Sequence, residues 1–123
     1  MNRPSHKEIN RKIEQAKEAL LAKRISFINA INIAADVLEL GLTIQEVPKA
    51  LFDLLGEITP KDYVGQYPPQ HSYEDEILQC ELFPFKWNSK RLGCVVYLKF
   101  TVENNQLWII SLHEDRKERK ERG

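Results

Sequence analysis

Apolar residues recur at helical spacing through the first part of the chain. Ser5 and Glu8 are spaced as a capping box, which predicts a first helix over about 5–23. Ser26 stands where it can cap a second helix, and Gly41 is placed to end that helix. Because this second segment is apolar over more than half of its helical circumference, we expect it to be the buried central helix.

A third helix is predicted by Thr43 and Glu46, which repeat the capping-box spacing ahead of further apolar positions. Gly56 is expected to end this helix, since glycine commonly follows the last helical turn. Thr59 and the proline after it predict a short helical turn over 60–64, because proline is favoured at the first position of a helix.

In the second half of the chain the apolar positions change from helical spacing to alternation. Alternation predicts strands over 77–83, 94–102 and 106–113, with a basic loop over 85–92 that contains Trp87. Helices followed by strands indicate an α+β fold, in which N-terminal helices pack on one face of an antiparallel sheet of about three to four strands.

Alternation in the last two strands separates an apolar face from a more polar face. Matching these faces across the hairpin requires an odd-length connection, so we predict a bulged loop over 104–106 instead of a two-residue Asn-Asn turn. The apolar face expected to pack against the helices comprises Val96, Leu98, Phe100 and Val102 with Trp108, Ile110 and Leu112. On the polar face, this register places Tyr97 opposite His113 and Lys99 opposite Ser111.

The length and composition fit one globular domain over 1–123, because 42% of the 123 residues are hydrophobic and 29% are charged. The expected layout is helices over about 5–65, the sheet over about 73–113 and a charged tail over 114–123. No apolar run approaches the roughly 18–20 residues of a membrane span, and the polar first residues are not a signal peptide. We therefore expect a cytoplasmic protein with no membrane partner.

No residue spacing in the sequence indicates a metal or a cofactor. Cys80 and Cys94 are expected to be reduced thiols, since disulfides are disfavoured in the cytosol. Two distant cysteines and three scattered histidines do not form a recognised metal-binding spacing. We expect function without a cofactor.

Charge is unevenly distributed along the chain, although the net charge is zero. Residues 1–24 carry seven basic and three acidic residues, whereas residues 25–81 carry two basic and ten acidic residues. Residues 82–100 contain no acid and four basic residues, Lys86, Lys90, Arg91 and Lys99. A basic patch beside aromatic residues attracts phosphate backbones. The alternative is that these cations only solvate a face of the sheet.

The polar hairpin face combines a phenol, an imidazole and an ammonium group. A histidine such as His113 can give or take a proton near neutral pH, and Tyr97 can stack on a base or donate to an oxyanion. Lys99 can neutralise charge that builds on phosphorus. This set suits acid–base cleavage of a phosphodiester. The alternative is a solvated sheet face on which His113 is incidental.

Four segments of the chain, in the same order, resemble the MqsR toxins. Residues 96–102 read VYLKFTV where that family has V-Y-L-K-x-T-V, and the next strand ends in S-L-H-E where the family has S-F-K-E. Upstream, residues 34–42 resemble the family's helix that ends in E-L-G-L, and residues 58–63 resemble its L-x-x-x-D-F segment. The similarity covers about 28–115.

The resemblance implies a RelE-like fold, with helices packed on a curved antiparallel sheet. It also implies the toxin of a toxin–antitoxin system, a metal-independent mRNA endoribonuclease that arrests growth. Such enzymes use the ribose 2′-OH as the nucleophile and leave a 2′,3′-cyclic phosphate. The implied partners are the mRNA substrate, free or on the ribosome, and a cognate antitoxin protein.

The resemblance also implies roles for individual residues. The family's catalytic tyrosine falls on Tyr97, a lysine of the same strand falls on Lys99, and the C-terminal lysine falls on His113, which keeps a proton donor. A family glutamine falls near Asp75, which could orient His113, and the lysine after the family's D-F-Y run falls near Gly65. Other cations of this chain could replace the missing lysine or bind RNA: Lys86, Lys90, Arg91 and Arg116.

Two other functions fit the same sequence. The chain could be a non-catalytic module that binds RNA or a protein through the basic hairpin. In that case the activity was lost together with the family's lysine, whose position falls near Gly65. It could also be a structural interaction domain whose acidic segment over 25–81 binds a basic partner.

Overall fold

Three α-helices and four strands make up the part of the chain that the computed structural model describes, residues 4–65 and 69–115. The elements are α1 (His6–Leu21), β1 (Ile25–Phe27), α2 (Ala30–Leu38), α3 (Val47–Glu57), β2 (Phe83–Ser89), β3 (Cys94–Glu103) and β4 (Gln106–Glu114). The strands form one open sheet in the order β1-β4-β3-β2. The predicted α+β class is confirmed.

β1 is parallel to β4, so the prediction of a wholly antiparallel sheet is wrong. Residues 25–27 pair with residues 107–109, in a segment where the sequence predicts a helix capped by Ser26. β-branched and aromatic side chains favour an extended chain here, and the pairing with β4 is accompanied by burial of Ile28. α2 begins only after Asn29, whose φ of 59° turns the chain out of the strand.

Two of the predicted capping boxes are confirmed in detail. At the start of α1, the Ser5 N–H donates to Glu8 Oε1 at 2.9 Å, and the Glu8 N–H donates to Ser5 Oγ at 3.1 Å. Ahead of α3, the Thr43 N–H donates to Glu46 Oε1 at 2.8 Å. α3 ends at Glu57, one residue beyond the Gly56 at which the sequence predicts its end.

α1 and α3, rather than α2, supply the buried helix faces. Each of them buries five residues, whereas α2 buries only Ile33 and Val37. Ile31 and Leu38 of α2 are 82% and 64% exposed. The prediction of a buried central α2 is wrong because this helix packs on β4 near one edge of the sheet, where little partner surface remains.

β2 begins at Phe83 and ends at Ser89, so the basic loop predicted over 85–92 is wrong for 85–89, and only 90–92 lie in a turn. The strand predicted over 77–83 is also wrong, because a 3₁₀ turn over 75–77 is followed by a turn at 78–79 and the strand begins only at Phe83. Pro84 is accommodated since β2 is an edge strand, where a missing N–H need not break a ladder. The inward positions of β2 are buried in the core: Phe83, Phe85 and Trp87.

Aromatic packing and two hydrogen bonds hold β2 against β3 and α3. Phe85 and Phe100 stack with their ring centroids 5.5 Å apart and their planes 8° from parallel. The Trp87 indole N–H donates to Glu57 Oε1 at 2.8 Å, which satisfies a buried donor. The other oxygen of Glu57 accepts the main-chain N–H of Arg91 at 2.8 Å, so α3 is joined to the β2–β3 turn.

The β3–β4 hairpin has the predicted pairing at the site, but the extra residue that this pairing requires does not lie in the turn. The turn is the two-residue Asn104-Asn105 connection, with φ of 54° and 62°, as a type I′ turn requires. The predicted odd-length loop over 104–106 is therefore wrong. An irregularity inside the ladder supplies the extra residue, since Lys99 pairs with Ser111 while the next residue, Phe100, pairs with Ile109. Beyond this bulge, the predicted pairing of Tyr97 with His113 is confirmed.

β4 changes the face that its side chains present at this bulge. Leu107 and Ile109 before the bulge and Leu112 after it are buried in the main core. Trp108 and Ile110 lie on the other face, so the prediction that they share the core face with Leu112 is wrong. There they pack against a second cluster of buried residues, Ile28, Ile77 and Leu82.

The Asn104-Asn105 turn yields a stability prediction. Asn105→Val should lower the free energy of unfolding by about 1–2 kcal/mol, because a β-branched residue is disfavoured at positive φ. Asn105→Gly is the matched control and should be neutral or slightly stabilising. Urea unfolding measures both variants. A valine variant as stable as the wild type would contradict the positive-φ turn.

Candidate functional site

The second face of the sheet, away from the main core, is covered at one end and, as far as the described residues go, open at the other. Residues 69–82 cover one end, where Ile77 and Leu82 pack against β4 and the Thr101 hydroxyl donates to the Glu81 carbonyl at 2.8 Å. The other end is the open half-face. Its half-buried polar side chains are Lys86 on β2, Tyr97 and Lys99 on β3, and Ser111 and His113 on β4.

Tyr97 and His113 form a stacked pair at the centre of the open half-face. They are direct cross-strand partners, and their ring centroids lie 5.2 Å apart with the planes 22° from parallel. His113 Nδ1 lies 2.9 Å from the Glu114 carbonyl oxygen. A carbonyl can only accept, so Nδ1 carries the proton of this hydrogen bond. The neutral imidazole therefore has its free lone pair on Nε2, where it can take a proton from a ligand.

The Tyr97 phenol has its pKa raised above the ordinary value of 10.0 by burial, which disfavours the phenolate. Tyr97 therefore stays protonated throughout the neutral range. A protonated phenol therefore lies beside the imidazole of His113 on this face of the sheet.

Lys99 lies next to this pair on the same face of β3. Its Nζ donates to Gln70 Oε1 at 3.4 Å, and no carboxylate in the described residues lies within ion-pair distance of it. Burial lowers the pKa of the Lys99 ammonium below 10.5. Sequence reasoning did not identify Gln70, because no local pattern relates residue 70 to a strand that follows much later.

Lys86 is the second cation of the open half-face. It pairs with Tyr97 across β2 and β3, on the side away from His113. Its Nζ lies 3.4 Å from Asp115 Oδ2, so part of its charge is compensated by a carboxylate. The site thus contains one cation with a neutral partner, Lys99, and one with an acidic partner, Lys86.

The remaining predicted site residues lie elsewhere. Arg91 Nε contacts Asp53 Oδ2 of α3 at 3.0 Å, so its charge is compensated by that helix. Lys90 is exposed in the turn between β2 and β3. Asp75 is exposed in a 3₁₀ turn and makes no hydrogen bond or ion pair with His113. Arg116 lies outside the described residues.

Gly65 occupies a position where a side chain cannot be accommodated. A Cβ added there would collide with the ring of Tyr63, which is buried against β2. The lysine that the resemblance would place near this position therefore has no room in this chain. Among the described residues, the cations on the open half-face are Lys99 and Lys86 of the sheet.

Comparison with known proteins provides no relative for this chain: neither a scan of protein-family models nor a search of curated proteins gives a match.

Cys80 and Cys94 are free thiols, each partly buried. In the part of the chain that the structure describes, no three His, Cys, Asp or Glu side chains are grouped to hold a metal ion. Within residues 4–65 and 69–115, no helix has the length and apolar character needed to cross a bilayer.

Proposed function

We propose that this chain is an mRNA endoribonuclease that works without a metal, the toxin of a toxin–antitoxin system with a RelE-like fold. The observation that carries the proposal is the stacked Tyr97–His113 pair on the open half-face, 5.2 Å between centroids, with Lys99 beside it. The resemblance of residues 96–102 and of the strand that follows to the MqsR toxins supports the same assignment.

RNA would lie across the open half-face with a phosphate near Lys99. This cation has no acidic partner among the described residues, so its charge remains available to a ligand. Lys86 extends the positive charge across the strands, and a base could stack on the exposed side of the aromatic pair. Single-stranded RNA suits such a surface, because its bases are free to leave their stack.

The proposed cleavage transfers one proton at each end of the reaction. His113 Nε2 takes the proton of the ribose 2′-OH, and the 2′ oxygen attacks phosphorus. The bond from phosphorus to the 5′ oxygen breaks, and that oxygen leaves with the Tyr97 phenol proton. A 2′,3′-cyclic phosphate and a 5′-OH result, and solvent returns the proton from His113 to Tyr97. Lys99 stabilises the negative charge that builds on the phosphoryl oxygens and on the phenolate.

The test is cleavage of a labelled single-stranded RNA by the purified full chain in the presence of EDTA. We expect discrete products that end in a 2′,3′-cyclic phosphate and a 5′-OH. A control oligonucleotide of the same sequence that contains only 2′-deoxyribose should not be cleaved. Expression in bacteria should also arrest growth. Intact RNA at enzyme excess, or cleavage of the deoxy substrate, would contradict the proposal.

A second candidate is a non-catalytic RNA-binding module on the same surface. It is favoured by the position of Gly65, which excludes the lysine implied by the resemblance, and by the lack of contact between Asp75 and His113. This candidate predicts RNA binding that weakens steeply with salt, while the RNA stays intact. The same labelled RNA, followed by a gel shift and by product analysis, distinguishes the two candidates.

A further inference from the structure

The two outer edges of the sheet differ. At the β2 edge, Tyr63 forms an antiparallel bridge with Phe85, and the Val64 N–H donates to the Pro84 carbonyl at 3.0 Å. At the β1 edge, no main-chain hydrogen bond from another described segment is present on the side away from β4. An open strand edge of this kind is a template for a further strand.

The ladder between β1 and β4 shows which residues face the open edge. The Leu107 N–H donates to the Arg24 carbonyl at 2.8 Å, and the Ile28 N–H donates to the Ile109 carbonyl at 2.9 Å. In a parallel pair, alternate residues make these bonds, so the main-chain groups of Ile25 and Phe27 point away from β4. A strand added to this edge would bond to them.

An apolar groove of about 360 Å³ lies beside this edge, between the end of α1, Ile25 of β1 and the start of α3. Leu21 and Phe52, which line it, are large apolar side chains that are 69% and 47% exposed. Exposed apolar side chains that meet in one groove indicate an interaction site rather than scattered surface residues.

The charge around the groove indicates what it binds. Lys23 and Lys49 line it, and no carboxylate in the described residues does. Arg24, beside Lys23, is exposed as well. Pairing of β1 with β1 of a second copy would bring these like charges together. An acidic partner would neutralise them, so charge complementarity favours another protein over self-association.

We propose that the free edge of β1 and this groove bind an extended acidic segment of another protein. The segment adds a strand outside β1, bonds to Ile25 and Phe27, and seats an apolar side chain on Leu21 and Phe52. Its acidic residues lie against Lys23 and Lys49. The proposal does not depend on RNA cleavage, because this surface is separate from the open half-face.

The first test uses the full chain and a fluorescent peptide in which valine and glutamate take turns on one face of the strand, with threonine at every position between them. Anisotropy should show saturable binding that weakens as salt is raised. A peptide with lysine in place of glutamate should not bind. The glutamate peptide should also fail to bind when its alternate main-chain nitrogens are methylated, because methylation removes the N–H groups that would bond to β1. No saturable binding of the unmodified peptide, or equal binding of either control peptide, would overturn the proposal.

Substitutions on the protein locate the binding surface. Phe52→Ser should weaken binding of the glutamate peptide about tenfold, as expected for loss of an apolar anchor. Ile31→Ser is the matched control, since Ile31 is 82% exposed on α2. It should leave binding unchanged. An equal effect of both substitutions, or a wild-type dimer that Phe52→Ser dissociates, would overturn the proposal. Urea unfolding confirms that each variant is folded.

Discussion

His113→Ala should lower the rate of RNA cleavage by about 10²–10⁴-fold, the usual contribution of one general acid or base. In the proposed reaction, Nε2 of His113 accepts the 2′-OH proton, because Nδ1 is committed to the Glu114 carbonyl. Tyr97 cannot take over this role, since burial raises the pKa of its phenol and keeps it protonated. Single-turnover cleavage of a labelled RNA measures the loss.

His6→Ala is the matched control for this prediction. His6 is exposed at the start of α1, far along the chain from the open half-face, and its loss should leave the cleavage rate unchanged. Similar urea midpoints for the two variants would assign the rate loss to the imidazole and not to unfolding. If His113→Ala cleaves RNA as fast as His6→Ala, His113 is not the proton acceptor.

The second large effect concerns Lys99. Lys99→Ala should lower the cleavage rate by about 10²–10³-fold, the range found when one donor to a developing oxyanion is removed. The effect is large because Lys99 has only the neutral Gln70 as its partner and is half-buried, where a charge acts more strongly than in water. Arg91→Ala is the matched control. Its guanidinium contacts Asp53, so its removal should leave cleavage unchanged.

The pH dependence of cleavage provides a separate signature of Lys99. Burial lowers the pKa of this ammonium below 10.5, so its charge is lost as the pH rises through that lowered pKa. As the pH is raised, the rate of cleavage should therefore begin to fall below pH 10.5. Lys99→Arg should retain activity and move this fall to higher pH, because a guanidinium stays charged. An alkaline limb that does not move in Lys99→Arg would show that another group controls it.

Local sequence signals predicted the capping boxes ahead of α1 and α3 and the pairing at the site. The hydrogen bonds of Ser5 with Glu8 and of Thr43 with Glu46 each form within one helical turn, so the local spacing was enough to predict them. The pairing of Tyr97 with His113 was predicted from alternation together with an odd-length loop over 104–106, and it is confirmed although the extra residue lies in the ladder. The position of the bulge could not be predicted, because the loop and the ladder offer equivalent places for one extra residue.

The errors arose where distant contacts decide the structure. Ser26 resembles a helix cap, but pairing with β4 makes its segment a strand. Pro84 argues against a strand locally, but an edge position removes the penalty. Gln70 contacts Lys99 because residues 69–82 fold back over the sheet. None of these three features depends on the spacing of residues within a short window, so local sequence patterns could not predict them.

Mapping of RNA contacts by NMR tests the central claim most directly. The isotope-labelled full chain is titrated with a single-stranded RNA that carries 2′-O-methyl groups and cannot be cleaved. We expect the shift changes to concentrate on Tyr97, Lys99 and His113, with smaller changes at Lys86, while α3 and β1 stay unchanged. Changes centred on another surface, or no saturable changes, would contradict the assignment of the open half-face as the site that acts on RNA.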